Sequence, residues 1–361
     1  YMSIFVEQKM IIEDNLGHIF SPTLCVTHRC NLNCVYCYQN NKEFKTMDFS
    51  TGTRCIDDIF SMIPQDVKMV EISFIGGEPL LELEKITTIT NKLIDNNYCL
   101  LPASIVTNGY LLNRQVAYQL TELGINYAQV TIDGSRNDHD SRRIPKTGVP
   151  TFDRILNNVR SCADLLDITI RINADKTNIE HADELLENLK KSGLRDNVSI
   201  SLAPVTNYNE KNNDLGMCFS SPQFAEEEYI FYKKAMQEGF NVIDNLLHRR
   251  QICGAISYNS YVIDPSGDLY KCWDLIGDTT EKIGTIFDSI QLNHNHCKWL
   301  LYNPYKERCI NCKVLPMCNG GCPNQFNQTG QLGCCTSLYN LDKKLKLISY
   351  ALNNDRGDSN E

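Results

Sequence analysis

The distribution of cysteine is the feature that most limits what this chain of 361 residues can fold into. There are 17 cysteines, and nine of them fall between Cys253 and Cys335. A second, tighter group consists of Cys30, Cys34 and Cys37. The sequence predicts no signal peptide, because its first apolar stretch lacks a basic segment before it. We therefore expect a cytoplasmic, reducing location, where disulfides rarely persist and clustered thiols indicate metal ligation.

Composition excludes several classes of protein. The hydrophobic fraction of 42% and the charged fraction of 22% are ordinary for a globular protein. A net charge of -9 argues against a nucleic-acid partner. No run approaches the roughly 18 apolar residues of a membrane-spanning helix, so no membrane association is predicted. The length predicts two or three domains.

Short apolar segments alternate with longer amphipathic ones between residues 22 and 204. The predicted strands are 23–27, 70–74, 104–107, 127–132, 168–172 and 198–202. The predicted helices are 50–63, 82–96, 113–122, 152–166 and 179–191. This alternation predicts βαβ units and a parallel sheet, either an incomplete barrel of about six units or an open sheet. In both folds the functional loops follow the carboxyl ends of the strands.

The rest of the chain has a different pattern. One long helix is predicted over 222–250, a hairpin at "VIDPSGDLYKC" and a final helix over 338–353. The predicted divisions are an N-terminal extension, an α/β region, a linking helix, a small cysteine-rich region, and a C-terminal helix and tail. Their bounds are 1–21, 22–221, 222–250, 251–340 and 341–361.

The first cysteine group stands in "CNLNCVYC", directly after the first predicted strand. Its thiolates, Cys30, Cys34 and Cys37, suit three irons of a [4Fe–4S] cubane and leave one iron open to a small molecule. The same trio is an incomplete tetrahedral zinc site that needs a fourth ligand from elsewhere. His28 is a candidate for that ligand.

The segment "FIGGEP", residues 74–79, ends the second predicted strand. Its paired glycines allow a backbone to approach a ligand closely, and Glu78 offers a carboxylate to an ammonium group. Together with the cysteine trio and Tyr36, this segment resembles the radical S-adenosylmethionine (radical SAM) superfamily over residues 22–204. The resemblance implies a partial (β/α)6 barrel and an oxygen-sensitive [4Fe–4S] cluster chelated by S-adenosylmethionine. It also implies a flavodoxin- or ferredoxin-type reductant and a 5′-deoxyadenosyl radical that abstracts hydrogen from the substrate.

The same resemblance implies a set of residues that contact S-adenosylmethionine. The glycines and Glu78 are expected at the methionyl amino group and Arg143 at the carboxylate, and the polar ends of the later strands at the ribose and methionine. A helix cap or a turn remains an alternative role for the residues of the later strand ends. The full set is Tyr36, Gly76, Gly77, Glu78, Thr107, Asn108, Thr131, Asp133, Arg143, Arg171 and Asn173.

The second cysteine group, read by its spacing alone, fits one or two zinc sites. Its pattern is Cys253-x13-Gly267-x4-Cys272 followed by Cys309-x2-Cys312-x5-Cys318-x3-Cys322 and a last cysteine at Cys334 or Cys335. This pattern resembles the SPASM extension of radical SAM enzymes, which implies two auxiliary [4Fe–4S] clusters. The first would be held by Cys253, Cys272 and Cys322. The second would be held by Cys309, Cys312, Cys318 and Cys335, which directly precedes the final helix.

Enzymes with a SPASM extension mostly modify ribosomally made peptides. The leading expectation is therefore a maturase that acts on a precursor peptide, with a separate leader-binding protein as a candidate partner. Alternatives are a carbon–carbon cross-linking cyclase, a sulfatase-maturing enzyme and a non-catalytic iron–sulfur or zinc protein. Sulfatase-maturing enzymes have a further cysteine soon after the position of Cys253 and an aspartate directly after that of Cys272, but here Trp273 follows Cys272. Asp274 is a candidate general base or a solvated turn carboxylate.

The first auxiliary cluster lacks a fourth ligand in this pattern. Cys297, Cys334 or Cys218 could close it and leave an electron relay. Alternatively, one iron stays open and accepts a cysteine thiolate of the substrate peptide, which would activate and orient that sulfur. We favour the open site, which predicts a thioether product.

Overall fold

The computed structural model describes residues 18–37, 39, 45–47, 54–206, 216–247, 253–288, 292–303 and 309–357. The strands are β1 Ile19–Cys25, β2 Leu32–Cys34, β3 Met69–Val70, β4 Ser73–Ile75, β5 Cys99–Leu100, β6 Ala103–Thr107, β7 Ile125–Thr131, β8 Arg143–Pro145, β9 Asp167–Ala174, β10 Val198–Pro204, β11 Ser260–Ile263, β12 Asp268–Tyr270 and β13 Gly284–Thr285. The helices are α1 Arg54–Ser61, α2 Leu83–Asp95, α3 Arg114–Glu122, α4 Arg136–Arg142, α5 Phe152–Cys162, α6 Glu184–Lys191, α7 Ser221–Gln237, α8 Ile243–Leu247, α9 His294–Leu300, α10 Leu315–Cys318, α11 Pro323–Thr329 and α12 Ser337–Gly357.

Six parallel strands form the main sheet, in the order β10–β9–β7–β6–β4–β1. Each strand pairs with the next of these six along the chain, so the sheet winds in one direction as the strands of a barrel do. The predicted α/β fold with a partial barrel is confirmed. The predicted N-terminal extension is residues 1–21, and its residues 1–17 lie outside the described part of the chain.

Side-chain periodicity explains why these elements form and where they pack. Alternate residues of β9 are buried, which is the pattern of a strand with one face toward the core. In α5 the buried residues are Phe152, Ile155, Leu156, Val159 and Cys162, the spacing of one helix face. Full burial of each of the large apolar side chains contributes about 1.5–3 kcal/mol.

Two predicted elements differ from the structure. The second predicted strand is divided into β3 and β4, which are separated by two residues. The prediction of one continuous helix over 222–250 is wrong: α7 ends at Gln237, and Gly239 follows with a φ of +87°. This left-handed backbone turns the chain, and α8 begins only at Ile243. Residues 248–250 of the prediction lie outside the described residues.

The predicted hairpin is confirmed, and it extends the barrel sheet. β11 and β12 pair in antiparallel fashion, and Asp264 and Gly267 (φ +82°) form the turn between them. β11 also pairs in parallel with β1, with Ser21 opposite Ser260 and Leu24 opposite Ile263. The cysteine-rich region is therefore hydrogen-bonded to the free side of the first barrel strand.

The last helix, α12, packs against α7 and α8. It thereby connects the end of the cysteine-rich region to the linking helices. Within the described residues, no helix has the length and hydrophobicity that crossing a lipid bilayer requires.

Candidate active site

The first cysteine group lies on a loop that starts at the carboxyl end of β1. The backbone of this loop is held by β8, because β2 pairs with it and Cys34 lies opposite Arg143. The Cys37 N–H donates to the Cys34 carbonyl oxygen at 3.1 Å, and the Leu32 N–H donates to the Cys30 sulfur at 3.4 Å. A fixed backbone therefore presents the three thiols.

The three thiols of this group affect one another's pKa values. Burial raises the pKa of Cys30 to about 11, the Leu32 hydrogen bond lowers it, and Glu78, Cys34 and Cys37 raise it further. Burial also raises the pKa of Cys34, whereas the charge of Arg143 lowers it. Buried thiols in such a group lose their protons when they coordinate a metal, so the donor set fits an iron–sulfur cluster.

The paired glycines after β4, Gly76 and Gly77, pass close to the backbone that leads into the cysteine loop. The Gly77 N–H donates to the Thr27 carbonyl oxygen at 2.8 Å. A Cβ on Gly76 would lie 2.6 Å from the Thr27 carbonyl oxygen, and a Cβ on Gly77 would lie 2.4 Å from that of Arg29. Both positions therefore require glycine because the backbone leading into the cysteine loop passes against them.

Glu78 is fully buried, and its carboxylate accepts three hydrogen bonds from the chain itself. Oε1 accepts from the Leu80 N–H at 3.0 Å and the Thr107 hydroxyl at 2.7 Å, and Oε2 accepts from the Asn108 N–H at 2.7 Å. Burial raises the pKa of Glu78, and the three hydrogen bonds oppose that rise. The Asn108 amide nitrogen in turn lies 3.8 Å from the Cys30 sulfur. Glu78 thus ties the end of β4 to the end of β6 beside the cysteine loop.

Tyr36 and Asp133 form the centre of a buried polar network at the ends of β7 and β9. The Tyr36 hydroxyl donates to the Asp133 carboxylate and accepts from Arg143 Nη1 at 2.7 Å. The Asn173 N–H donates to Asp133 Oδ1 at 3.0 Å, and the Asn173 amide donates to the Tyr36 oxygen at 3.2 Å. Burial raises the pKa of Tyr36 well above its usual value, so the phenol keeps its proton and donates it to the carboxylate.

Arg143 retains an unused donor inside this network. Its Nε has no hydrogen-bond partner among the described residues, although the side chain is only 7% exposed. Burial alone would lower the pKa of Arg143, but Tyr36, Cys34 and Asp133 raise it above the ordinary range. A buried, charged guanidinium with a free N–H fits an anionic group such as a carboxylate.

The remaining residues of the predicted set lie at the same end of the barrel. Arg171 Nε donates to Asn173 Oδ1 at 2.8 Å, and Thr131 lies opposite Arg171 where β7 pairs with β9. All eleven residues expected at S-adenosylmethionine therefore lie at the carboxyl ends of the parallel strands or in the segments that follow them.

The predicted ligands of the first auxiliary cluster come from three segments and interact electrostatically. Burial raises the pKa of Cys272 well above its usual value, and the charges of Asp274, Cys253 and Cys322 raise it further. Asp274 itself lies beside the thiol, with Oδ2 3.6 Å from the Cys272 sulfur. The three thiols therefore lie within electrostatic range of one another.

The predicted ligands of the second auxiliary cluster line one pocket. The residues that line it are Cys309, Cys312, Val314, Leu315, Cys318, Gly320, Leu332, Cys334, Cys335 and Leu338. Cys318 and Cys335 share a hydrogen bond, which lowers the pKa of Cys318 to about 7. In the described part of the chain, no three His, Cys, Asp or Glu side chains converge as the ligands of a single metal ion do. Five thiols around one apolar pocket fit a polynuclear cluster better than a zinc ion.

The three cysteines considered as a fourth ligand of the first auxiliary cluster lie in different places. Cys218 is beside Asp175 and Lys176 in the barrel, where burial and the Asp175 charge raise its pKa. Cys334 lines the cavity of the second set. Cys297 is on α9, which packs against the turn following Cys253 and against α11, the helix following Cys322.

Comparison with known proteins identifies the barrel. The sequence profile of the Radical SAM superfamily matches residues 24–189. These residues form a radical SAM domain. An uncharacterized protein of Methanocaldococcus jannaschii is 40% identical over 139 residues, which cover 38% of this chain and 46% of that protein. The chain thus spans about half the length of that relative.

Two solved structures share the fold beyond the radical SAM domain. Native anSMEcpe with bound AdoMet and the Kp18Cys peptide is 18% identical, with a TM-score of 0.71 over 92% of this chain and 99% of that one. Streptococcus suis SuiB bound to the precursor peptide SuiA is 14% identical, with a TM-score of 0.63 over 89% and 76%. The predicted radical SAM domain is confirmed over residues 24–189, and the fold with a C-terminal extension is confirmed by the two solved structures.

Sequence reasoning missed two buried residues of the radical SAM domain, Arg142 and Asp175. Arg142 Nη1 donates to Asp175 Oδ2 at 2.8 Å, and its guanidinium lies 5.0 Å from the centre of the Tyr36 ring. The available signals were the doubled arginine at 142–143 and an aspartate directly after β9.

His139 was missed as well. Its Nδ1 accepts from the Asp133 N–H at 3.3 Å, so the ring proton is on Nε2, which lies 3.1 Å from the Thr151 hydroxyl. Burial lowers the pKa of His139 well below its usual value, and the charge of Arg143 lowers it further. The histidine is therefore neutral and orients the backbone that carries Asp133.

Proposed function

We propose that this chain is a SPASM-type radical SAM maturase that cleaves S-adenosylmethionine and modifies a ribosomally made peptide by forming a thioether. One observation carries the proposal. Two further cysteine groups are built onto the free side of β1, in a fold shared over 92% of this chain with a structure that holds both AdoMet and a peptide. A fold with three groups of thiols and a buried arginine that can bind the carboxylate of a cofactor suits radical chemistry on a peptide.

In the radical SAM domain, Cys30, Cys34 and Cys37 would hold a [4Fe–4S] cluster. When bound, this cluster and S-adenosylmethionine supply a 5′-deoxyadenosyl radical. The free Nε of Arg143 would donate to the methionyl carboxylate. The carboxylate of Glu78 accepts three hydrogen bonds already and would accept a fourth from the methionyl amino group. The remaining residues of the predicted set would line the ribose and methionine.

In the C-terminal region, we propose two auxiliary [4Fe–4S] clusters. Cys253, Cys272 and Cys322 would hold the first, and the cavity with Cys335 would hold the second. Ligation would supply much of the stability of this region, because metal binding to thiolates is part of the folding free energy of such domains.

The thioether proposal depends on the first auxiliary site. Cys218 contacts barrel residues and Cys334 lines the other cavity, which leaves Cys297 as the competitor for the fourth position. An iron open to the substrate would hold its cysteine as a thiolate, and Asp274 beside Cys272 would accept the proton. The partners would be a precursor peptide, a separate leader-binding protein and a flavodoxin- or ferredoxin-type reductant. The enzyme would work in the cytoplasm and be sensitive to oxygen.

The first experiment tests cofactor cleavage. Anaerobically reconstituted protein should bind about twelve irons, from three cubanes. With a reductant and S-adenosylmethionine it should release 5′-deoxyadenosine. Simultaneous replacement of Cys30, Cys34 and Cys37 by Ala should remove about four irons and abolish this product. A triple variant that still cleaves S-adenosylmethionine would overturn the assignment.

The second experiment tests the product. Electron paramagnetic resonance spectra of the auxiliary clusters are recorded with the precursor peptide and with a peptide whose cysteines are alanine. Thioether formation predicts that only the native peptide perturbs the first auxiliary cluster and loses two hydrogen atoms. If the alanine peptide has the same effect or is still cross-linked, substrate thiolate ligation is wrong.

A sulfatase-maturing activity is the second candidate, favoured by the position of Asp274 beside the thiol of Cys272. It predicts an aldehyde, formylglycine, in place of a cysteine or serine of a protein substrate. Trapping with a hydrazide distinguishes that aldehyde from a thioether, which does not react. Carbon–carbon cross-linking would remove two hydrogens and leave the peptide thiols free for alkylation.

A further inference from the structure

Lys344 of α12 is fully buried, which is rare for a lysine unless it is paired. Its ammonium lies 2.8 Å from Glu228 Oε2, and Glu228 belongs to α7 and is only 5% exposed. The amide of Asn340 donates to the same carboxylate oxygen at 3.0 Å. A charged pair therefore stands in the interior where α7 and α12 meet.

The same ammonium also faces the loop that carries the last predicted cluster ligand. Lys344 Nζ lies 3.3 Å from Ser337 Oγ and 3.4 Å from Thr336 Oγ1. Ser337 is fully buried and is two residues after Cys335, and its N–H and hydroxyl lower the pKa of the Cys335 thiol. Because a lysine ammonium only donates, the Ser337 oxygen accepts from Lys344, and the Ser337 proton is left available to the Cys335 sulfur.

Helix packing alone does not explain this pair. A buried ion pair is often no more stabilising than apolar side chains of the same volume, because both charges lose their hydration. The neighbouring residues Lys343 and Glu226 already form an ion pair between the same two helices at the surface. The buried pair differs in one respect: its cation contacts Thr336 and Ser337, the two residues that follow Cys335, a thiol that lines the pocket of the second set.

We propose that Lys344 is a positioning residue that acts through Ser337 to raise the reduction potential of the second auxiliary cluster. This inference rests on the proposed ligation of that cluster by Cys335. Reduction adds negative charge, and a hydrogen bond to a ligand sulfur or a nearby cation stabilises the reduced state. The effect is large in a buried site because the local dielectric screens it weakly. Glu228 opposes it, so the potential depends on both members of the pair.

Opposite charge changes in the pair provide the test. The midpoint potential of the second auxiliary cluster is measured in the reconstituted holoenzyme by redox titration monitored by electron paramagnetic resonance. Lys344→Met and Ser337→Ala should shift it to more negative values, whereas Glu228→Gln should shift it to more positive values. Lys343→Met, the matched surface control, should leave it unchanged. A purely structural pair would shift Lys344→Met and Glu228→Gln in the same direction or not at all, and either outcome would overturn the proposal.

Iron content separates this inference from the function on which it rests. If Cys335→Ala binds as much iron as the unmodified protein, the ligand assignment is wrong, and the proposed role of Lys344 is wrong with it. If Cys335→Ala loses about four irons but the charge variants do not shift the midpoint potential in opposite directions, only the role of Lys344 is wrong. Should Lys344→Met fail to fold, the opposite shifts expected for Ser337→Ala and Glu228→Gln decide the question.

Discussion

Replacement of Glu78 by Gln would measure how much of its role is structural. The change converts one carboxylate oxygen into an NH2 group at a fully buried position. The carboxylate now accepts from two backbone N–H groups, those of Leu80 and Asn108, on different oxygens. Whichever way the amide of Gln turns, one of these N–H groups would face another donor.

The magnitude follows from these contacts. A buried N–H without an acceptor costs about 1–3 kcal/mol, and the bonds that remain lose their charge assistance. Against this, the neutral amide avoids the burial penalty that raises the pKa of Glu78. We therefore expect the free energy of unfolding to fall by about 2 kcal/mol, a sizeable part of typical domain stability.

Anaerobic urea denaturation followed by circular dichroism measures this loss. Glu82→Gln is the matched control, because Glu82 is also buried but its partners Arg29 and Lys85 reach solvent and can be rehydrated. Its free energy of unfolding should fall by less than about 1 kcal/mol. Titration calorimetry of the folded variants with S-adenosylmethionine provides the second readout. If the free energy of unfolding of Glu78→Gln lies within about 0.5 kcal/mol of that of the unmodified protein, the hydrogen-bond argument is refuted. A weakened affinity in that case would make Glu78 mainly a ligand-binding group.

Three further predictions concern other parts of the chain. Cys335→Ala should remove about four irons by chemical analysis, whereas Cys334→Ala should retain them; the reverse result would exchange the two ligands. The pKa of His139 is lowered in the native state, so below pH about 6.5 the unfolded state binds more protons than the native state does. The free energy of unfolding therefore falls as the pH drops, by up to roughly 1.4 kcal/mol per pH unit. His139→Gln should flatten that fall in urea denaturation at pH 5 to 7, and an unchanged slope would contradict the assignment. Gly77→Ala should reduce the iron held by the first cysteine group because its Cβ meets a backbone oxygen, whereas Gly216→Ala, with open space around it, should not; equal iron in both variants would disprove the steric argument.

The sequence predicted the features that depend on local pattern. Strand β9 alternates buried and half-buried residues, and the predicted bounds 168–172 fall within Asp167–Ala174. The turn at Asp264 to Gly267 was equally predictable, because an aspartate that accepts backbone N–H bonds and a glycine with positive φ define it. Cysteine spacing also grouped Cys309, Cys312, Cys318 and Cys335, which line one pocket.

The sequence did not reveal contacts made by backbone groups. The partners of Glu78 include two N–H groups, which carry no residue signature, so a ligand role was the natural interpretation. The break after α7 depends on the φ of Gly239, and a single glycine within an apolar pattern does not by itself end a helix. The buried contact of Arg142 with Asp175 joins two elements that only the folded barrel brings together.

The pairing of β1 with β11 has a consequence for how the chain reaches its native state. Ser21 and Ser260 are 239 positions apart and yet hydrogen-bond to each other. During synthesis from the amino terminus, β1 can pair with β4 early but leaves its other side open until the hairpin emerges. Such an unpaired edge can pair with other chains, and so distant a contact closes slowly. A chain shortened to end before residue 253 should therefore aggregate more readily than the full chain, which light scattering during refolding would detect. If the shortened chain stays monomeric, another segment protects β1 before the cysteine-rich region is made.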